Sequence, residues 1–267
     1  MESLYGVTPA VLAFLVAAAA LAGWVDAVSG GGGLVQLPAL LIGLPGAPPA
    51  TVLGTNKLSS IIGTSAAAIT YRRAAVTDVG TAVPMAVAAF LGSALGAVVA
   101  THLPGTFFRP LALVLLVVVG VWTLVRPALG EDQDLRWHGT DAHARHRVAA
   151  VTMGATIGLY DGVFGPGTGT FLVFGLVVLL GYSFLNASAI AKLVNVSTNL
   201  AALIVFSAGG HVLWALGLTM GAANLVGGVV GARTAVRRGS GFVRIVFLVV
   251  VAALLVKLGY DVLSSRG

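Results

Sequence analysis

Asp26, Lys57, Asp161 and Lys192 are charged side chains in or at the edge of long hydrophobic runs. A charge placed in hydrocarbon costs several kcal/mol, so each must face the protein interior or water. Both lysines sit about seven residues into their segments, roughly 10 Å from the nearer end. Two cations beside one cavity suit an anionic substrate. Thr55 and Asn56 precede the first lysine, and Asn195 and Asn199 follow the second, adding neutral hydrogen-bonding groups. The lysines could instead snorkel to the interface, or form structural pairs with Asp161 or Asp26. The aspartates also have two readings. They relay protons or balance the lysines, as coupling residues of a transporter, or they cap the turns that follow them.

The first of those turns holds four consecutive glycines, Gly30, Gly31, Gly32 and Gly33. Each glycine costs a helix about 1 kcal/mol relative to alanine, so a regular helix is not expected there. Within a membrane an unwound stretch must line a cavity or be buried in protein. The segment after it begins with unsatisfied N–H groups at the positive end of its dipole, which makes an anion site. A second break of this kind runs Gly165-Pro166-Gly167-Thr168-Gly169. The plainer reading of both is a tight turn for helix contact. His138, His143 and His146 resemble a metal cluster only in composition and read as part of a solvated polar loop, so no metal or cofactor is expected.

The elements that carry these residues follow from composition. The chain has 267 residues, 58% hydrophobic and 9% charged, against about 25% charged in soluble domains. Several apolar runs are long enough to cross a roughly 30 Å hydrocarbon core. The expectation is an all-α, polytopic membrane helix bundle. The formal net charge is +6, but the arginines lie in short loops, where they set orientation rather than bind nucleic acid. There is no cysteine, which excludes disulfides, thiolate metal sites and cysteine nucleophiles. The first basic residue is Lys57, so the first apolar run lacks the basic region of a signal peptide and is expected to stay in the mature protein.

Asp26 and Asp161 are 135 residues apart, and so are Lys57 and Lys192, Met85 and Met220, Gly92 and Gly227, Gly96 and Gly231, and Arg109 and Arg244. Matched charged residues in so apolar a chain indicate a duplication. The predicted organisation is a first membrane repeat over 1–126, a polar linker over 127–145 and a second repeat over 146–267, forming one integrated unit. Each repeat holds five apolar segments: 9–28, 34–45, 50–71, 79–101 and 107–125, then 146–163, 169–182, 185–207, 212–235 and 242–261. The second segment of each is short, about 20 Å at 1.5 Å per residue. If it crosses, the repeats are inverted; if it is re-entrant, they are parallel. Arg72-Arg73, the linker arginines and Arg233, Arg237, Arg238 and Arg244 fall on one side only for inverted repeats, with Arg109 as the exception. The glycine pairs Gly92–Gly96 and Gly227–Gly231 have the spacing for close helix contact.

Asp26 to Leu41 (DAVSGGGGLVQLPALL) and Val52 to Leu58 (VLGTNKL), with weaker copies in the second unit, resemble the TauE/SafE family of membrane proteins. The resemblance extends over about residues 9 to 261. It implies a secondary transporter of sulfite, organosulfonates or related small anions in the cell (cytoplasmic) membrane, working in export. Carried onto this chain, its motif covers Gly30 to Gly33 and Thr55, Asn56 and Lys57. The second unit departs from it, with Pro166 inside the turn and Ile190-Ala191 where the first has Thr-Asn, so the two halves of a site would not be equivalent.

The expected partners are a small anion and the lipid bilayer, not nucleic acid, and the arrangement is compatible with a homodimer. A passive anion channel or a non-transporting membrane scaffold would carry the same composition. The sequence has no H-E-x-x-H, G-x-S-x-G or Walker motif, so an enzyme is not expected. The candidate binding residues are therefore Lys57, Asn56, Thr55 and the first glycine turn, followed by Lys192, Asn195, Gly165, Gly167 and Thr168.

Overall fold

A computed structural model describes residues 7–73, 78–102, 135 and 142–264, and the side chains of all these except 142–143, 250–251 and 253–264. Every regular element among the described residues is a helix. They are α1 (Pro9–Ser29), α2 (Gly33–Gly43), α3 (Pro49–Arg72), α4 (Val79–Ala100), α5 (Ala142–Val163), α6 (Thr168–Gly175, continued by a π turn over Leu176–Leu180), α7 (Phe184–Ala208) and α8 (Trp214–Ser264). The expected segment 107–125 lies outside the described residues. The expected segments 212–235 and 242–261 run on as α8, broken at Gly239, whose φ of 74° and ψ of −172° are not helical. Helix α5 begins at Ala142, within the interval 127–145 expected as linker, most of which lies outside the described residues. Ala142, Ala144 and Arg145 are good helix formers.

Local chemistry sets the helix starts. Thr8 caps α1 ahead of Pro9, the Asp78 carboxylate accepts from the Thr81 N–H, and Ser183 accepts from the Asn186 N–H. Four stretches are long and apolar enough to cross a membrane: Pro9–Ser29, Val79–Ala100, Phe184–Ala208 and Trp214–Val249. The 24-residue α3 does not qualify by hydropathy for a physical reason. It buries Thr55, Asn56, Lys57, Ser59 and Thr64, so its polar groups face protein rather than lipid. In contrast, Leu91, Leu95 and Val98 of α4 are exposed, as a lipid-facing surface requires.

Contact between the two halves runs through glycine. A Cβ on Gly92 would collide with the carbonyl of Ala155, and one on Gly96 with that of Leu159, so α4 and α5 lie side by side in the same direction. The same contact recurs 135 residues on. Gly227 meets the carbonyl of Ala20 and Gly231 that of Trp24, so α8 lies along α1, again in the same direction. Within the first half, α2 doubles back along α1, with Gly32 against Ala22 and Asp26 and Gly43 against Leu15. Helix α3 then returns beside α1, where the Thr64 hydroxyl reaches Asp26 and the Tyr71 hydroxyl donates to the Ala27 carbonyl at 2.9 Å.

A polar cluster ties the halves at one end. The Tyr182 hydroxyl donates to Asp78 Oδ2 at 2.6 Å, and the Thr81 hydroxyl donates to the same oxygen at 2.8 Å. His146 Nε2 lies 3.1 Å from both hydroxyls. His146 is thus a member of a helix-end network rather than of a solvated loop, because α5 starts early enough to carry it there. The positions related to these four by the 135-residue offset are Leu213, Leu216, Val11 and Ala47. All four contribute to an apolar cluster, so this side-chain network has no counterpart at the offset positions.

Burial pushes the Asp78 carboxyl up. The hydrogen bonds from Tyr182, from the Thr81 side chain and from the Thr81 and Gly80 N–H groups outweigh that and hold it below the usual carboxylate range. With the folded value depressed, its contribution to stability is complete above the ordinary carboxylate value. That contribution is lost as pH falls through the lowered one. Acid unfolding in detergent is therefore expected to be less steep in Asp78→Asn than in the wild type, and identical acid profiles would refute the linkage. At the glycine contacts, Gly92→Val and Gly227→Val are each expected to cost about 1–3 kcal/mol by overpacking, read as a lowered melting temperature.

Candidate functional site

The two lysines project from the third helix of each half, and each meets the first helix of the other half. Lys57 Nζ of α3 donates to Asp161 Oδ2 of α5 at 2.6 Å. Lys192 Nζ of α7 donates to Asp26 Oδ2 of α1 at 2.9 Å and also to the Asp26 backbone carbonyl. Both pairs cross between the halves, and the 135-residue offset turns one pair into the other. The Lys57–Asp161 pair is closed off, with side chains 3% and 5% exposed. In the second pair Lys192 is fully buried, while the Asp26 side chain is 17% exposed and takes a further hydrogen bond from the Thr64 hydroxyl. Of the alternatives read from the sequence, structural pairing with the aspartates is the one observed, and neither lysine snorkels.

The glycine turns lie against these pairs. Gly30, Gly165 and Gly167 have φ of 81°, 90° and 81°, a left-handed conformation that a Cβ disfavours. A Cβ on Gly165 would sit 3.0 Å from Lys57 Nζ and 3.3 Å from Asp161 Oδ1, so the second turn forms one wall of that pair. The first turn touches the start of α6, for a Cβ on Gly30 would overlap the backbone of Gly169 and Thr170. Across this contact the Thr170 hydroxyl donates to the Ser29 carbonyl at 3.2 Å. Gly33 faces Pro166, completing the approach of the two turns. The Gly30 N–H is satisfied by the Asp26 carbonyl, so the backbone of Asp26 closes α1 while its carboxylate takes the lysine.

The remaining candidates fall into two groups. Thr55 and Thr168 have committed hydroxyls. Thr55 donates to the Thr51 carbonyl at 2.7 Å and accepts from the Leu213 N–H at 3.0 Å, docking the start of α8. Thr168 donates to the Gly165 carbonyl at 2.7 Å, inside its own turn. Asn56 and Asn195 have capacity to spare. Each is 5% exposed, and the Oδ1 of each lacks a hydrogen-bond partner among the described residues. Asn195 Nδ2 lies against Gly169, beside the crossing of the turns. Buried amides with unmade hydrogen bonds are costly and call for a reason; binding a polar solute is one.

Sequence reasoning missed the amide chain behind Asn56. Gln36 of α2 is fully buried, its Oε1 accepts from Asn224 Nδ2 at 2.7 Å, and its Nε2 reaches the Asn56 carbonyl. Three buried amides within apolar segments were the available signal. The offset partners of Gln36 and Asn224 are the apolar Phe171 and Ala89, which hid those two from a search based on repeats. No group of His, Cys, Asp and Glu able to hold a metal ion exists among the described residues.

A multi-pass helical bundle with charged pairs and broken helices at its centre is the architecture of a membrane transport protein. The family described as Sulfite exporter TauE/SafE matches residues 15–258, and the chain belongs to it. It is similar to a Sinorhizobium sp protein named probable membrane transporter protein ORF9, at 38% identity over 94% of this chain and 93% of that one. It is also similar to the probable membrane transporter protein YfcA of Escherichia coli K12, at 34% identity over 97% and 94% of the two chains. A probable membrane transporter protein of Haemophilus influenzae is 33% identical over 94% and 95%. No solved structure matches the chain. The protein is thus a multi-pass membrane transporter, and the names of its relatives point away from an enzyme.

The ion pairs make a sharp energetic prediction. Lys57→Ala leaves the Asp161 carboxylate buried and unpaired, and is expected to destabilise by about 3–5 kcal/mol. Lys57→Ala/Asp161→Ala removes both charges and is expected to recover most of that loss. Melting curves for the two single variants and the double variant check it. A double variant as unstable as the sum of the singles would show that the pair is not coupled.

Proposed function

We propose that this chain is a secondary transporter of small anions in the cytoplasmic membrane, with sulfite or organosulfonates as substrates and export as its direction. The carrying observation is the buried centre, where two lysine–aspartate pairs lie against two glycine turns, with the unsatisfied amide of Asn195 beside the turns and that of Asn56 next to Lys57 in the chain. Such a centre has little structural economy, since apolar residues of equal volume would hold the helices as well or better. It is suited to replacing the hydration shell of an anion. Lys57, Asn56 and Gly30 to Gly33 make the first half of the binding site. Lys192, Asn195 and the turn of Gly165, Gly167 and Thr168 make the second. Asp26 and Asp161 are the coupling residues. The substrate class is supported by the name of the family and by the two cations.

Alternating access would come from two inverted repeats, and helix directions support this reading. Helix α8 lies along α1 and also along α3, with Gly217 on Leu58 and Gly221 on Ile62, so α1 and α3 run the same way. Residues 74–77 join α3 to α4, and four residues span at most about 14 Å, too little to recross a membrane, so α4 runs back. Helix α5 follows α4, so it opposes its counterpart α1. On these directions Arg72, Arg145, Arg147, Arg233, Arg237 and Arg238 gather at one end of the bundle, which the positive-inside rule assigns to the cytoplasm.

The test is sulfite flux in proteoliposomes. Wild-type flux is expected to saturate. The Lys57→Ala/Asp161→Ala variant, chosen because no charge is stranded in it, is expected to lose at least about tenfold of its flux, the equivalent of 1.4 kcal/mol. Undiminished flux in the folded double variant would remove Lys57 from the site. Flux that never saturates would favour a passive channel.

A further inference from the structure

The charges at the centre of the bundle cancel, and this limits what can accompany an anion through it. Among the described residues the charged groups of the interior are Lys57, Asp161, Lys192 and the partly buried Asp26. Each cation already holds a carboxylate. An incoming anion that takes a lysine's charge competes with the aspartate already paired to it. A carboxylate released but still charged would be an unpaired buried ion, the costliest state such a site can adopt.

We propose that the displaced aspartate leaves the lysine as the neutral acid, so that one proton crosses with each negative charge of the substrate and transport is electroneutral. This rests on the transport reading above. In the step itself an aspartate Oδ takes a proton from the aqueous phase, forming an O–H bond, and the Lys–Asp pair breaks. The lysine keeps all three ammonium protons and donates to the arriving anion. On the far side the anion departs, the acid returns its proton to water, and the pair closes again. Proton and anion therefore promote each other's binding, and linkage makes the effect reciprocal. They travel in the same direction, so an anion exported down its own gradient takes its acid equivalent with it.

The two pairs are not equally ready. Asp26 is 17% exposed and Asp161 5%, so Asp26 is the less enclosed of the two carboxylates. The groups facing Asp26 are Lys192 of α7 and Thr64 of α3, with Tyr71 of α3 bonded to the adjacent Ala27 carbonyl. Those around Asp161 are Lys57 of α3 and the Gly165 turn, with the neighbouring Tyr160 hydroxyl donating to the Pro166 carbonyl. Neither tyrosine donates its proton to an aspartate in these bonds, which leaves water as the proton source.

The experiment uses the full chain in proteoliposomes and methanesulfonate, a fixed monoanion whose conjugate acid is too strong to leak across lipid as the neutral molecule. Labelled anion, lumenal pH by an enclosed dye, and a potential clamped with potassium and valinomycin are followed together. The expected result is one proton per methanesulfonate and no response of the flux to potential. About tenfold accumulation is expected for each unit by which the outside is more acid. Saturable flux that follows the potential and carries no protons would overturn the coupling and leave the transport reading standing. Absence of saturable flux for both methanesulfonate and sulfite would remove the transport reading, and the coupling with it. In Asp26→Asn, Lys192 can take an anion without any proton. The proton-to-anion ratio is then expected to fall below one and the flux to become sensitive to potential. An unchanged ratio in a folded Asp26→Asn would clear Asp26 of the role. The wild-type ratio decides the proposal even if the variant does not fold.

Discussion

Two lysine–aspartate pairs, each reaching from one half of the molecule to the other, fix where everything else can be. An ammonium group in the hydrocarbon zone must meet an anion, and the only carboxylates at that depth among the described residues end the first helices of the opposite halves. The Lys57–Asp161 pair links α3 to α5, and the Lys192–Asp26 pair links α7 to α1. The ion pairs add specific contacts between the halves to the close glycine packing that brings their backbones together.

The pairs can form only if backbones come close, and glycine supplies that. Gly92, Gly96, Gly227 and Gly231 let α4 lie along α5 and α8 along α1 with carbonyls against bare Cα atoms. Gly30 and Gly169 do the same where the broken helices cross, and positive φ at Gly30, Gly165 and Gly167 turns the chain without a side chain in the way. The same glycines that allow dense contact leave the turns without side chains beside the lysines. A small solute there would meet backbone and ammonium groups. The departures from symmetry are equally physical. The Asp78–Thr81–His146–Tyr182 tie has only apolar residues at its offset positions, and Gln36–Asn224 only Phe171 and Ala89. The two ends and the two halves therefore differ in how firmly they are held.

Much of this was legible in the sequence because membrane chemistry is unforgiving. A long apolar run declares a helix, a run of four glycines declares its interruption, and a charged residue within such a run has to have a purpose. The recurrence of Asp, Lys, Arg and Gly at an offset of 135 was legible for the same reason, since such residues are rare in so apolar a chain. The exact start of α5 was less legible, because Ala142 to Arg147 is both polar and helix-favouring. His146 was misplaced with it. Thr55 stood beside Lys57 in sequence, yet on the helix its hydroxyl turns to Leu213 rather than to the ion pair.

Which partner each charge takes is the point at which sequence stopped and tertiary structure began. The residues alone determined that Lys57, Lys192, Asp26 and Asp161 must be sheltered, that two units repeat, and that glycine breaks flank the charged positions. They left open whether a lysine would snorkel, bind solvent or pair, and with which aspartate. Local rules such as helix period, capping and hydropathy act over a few residues, whereas the observed pairs join positions 104 and 166 residues apart. Only the packing of one half on the other brings those together. That same contact decides that Asp161 is sealed and Asp26 is not.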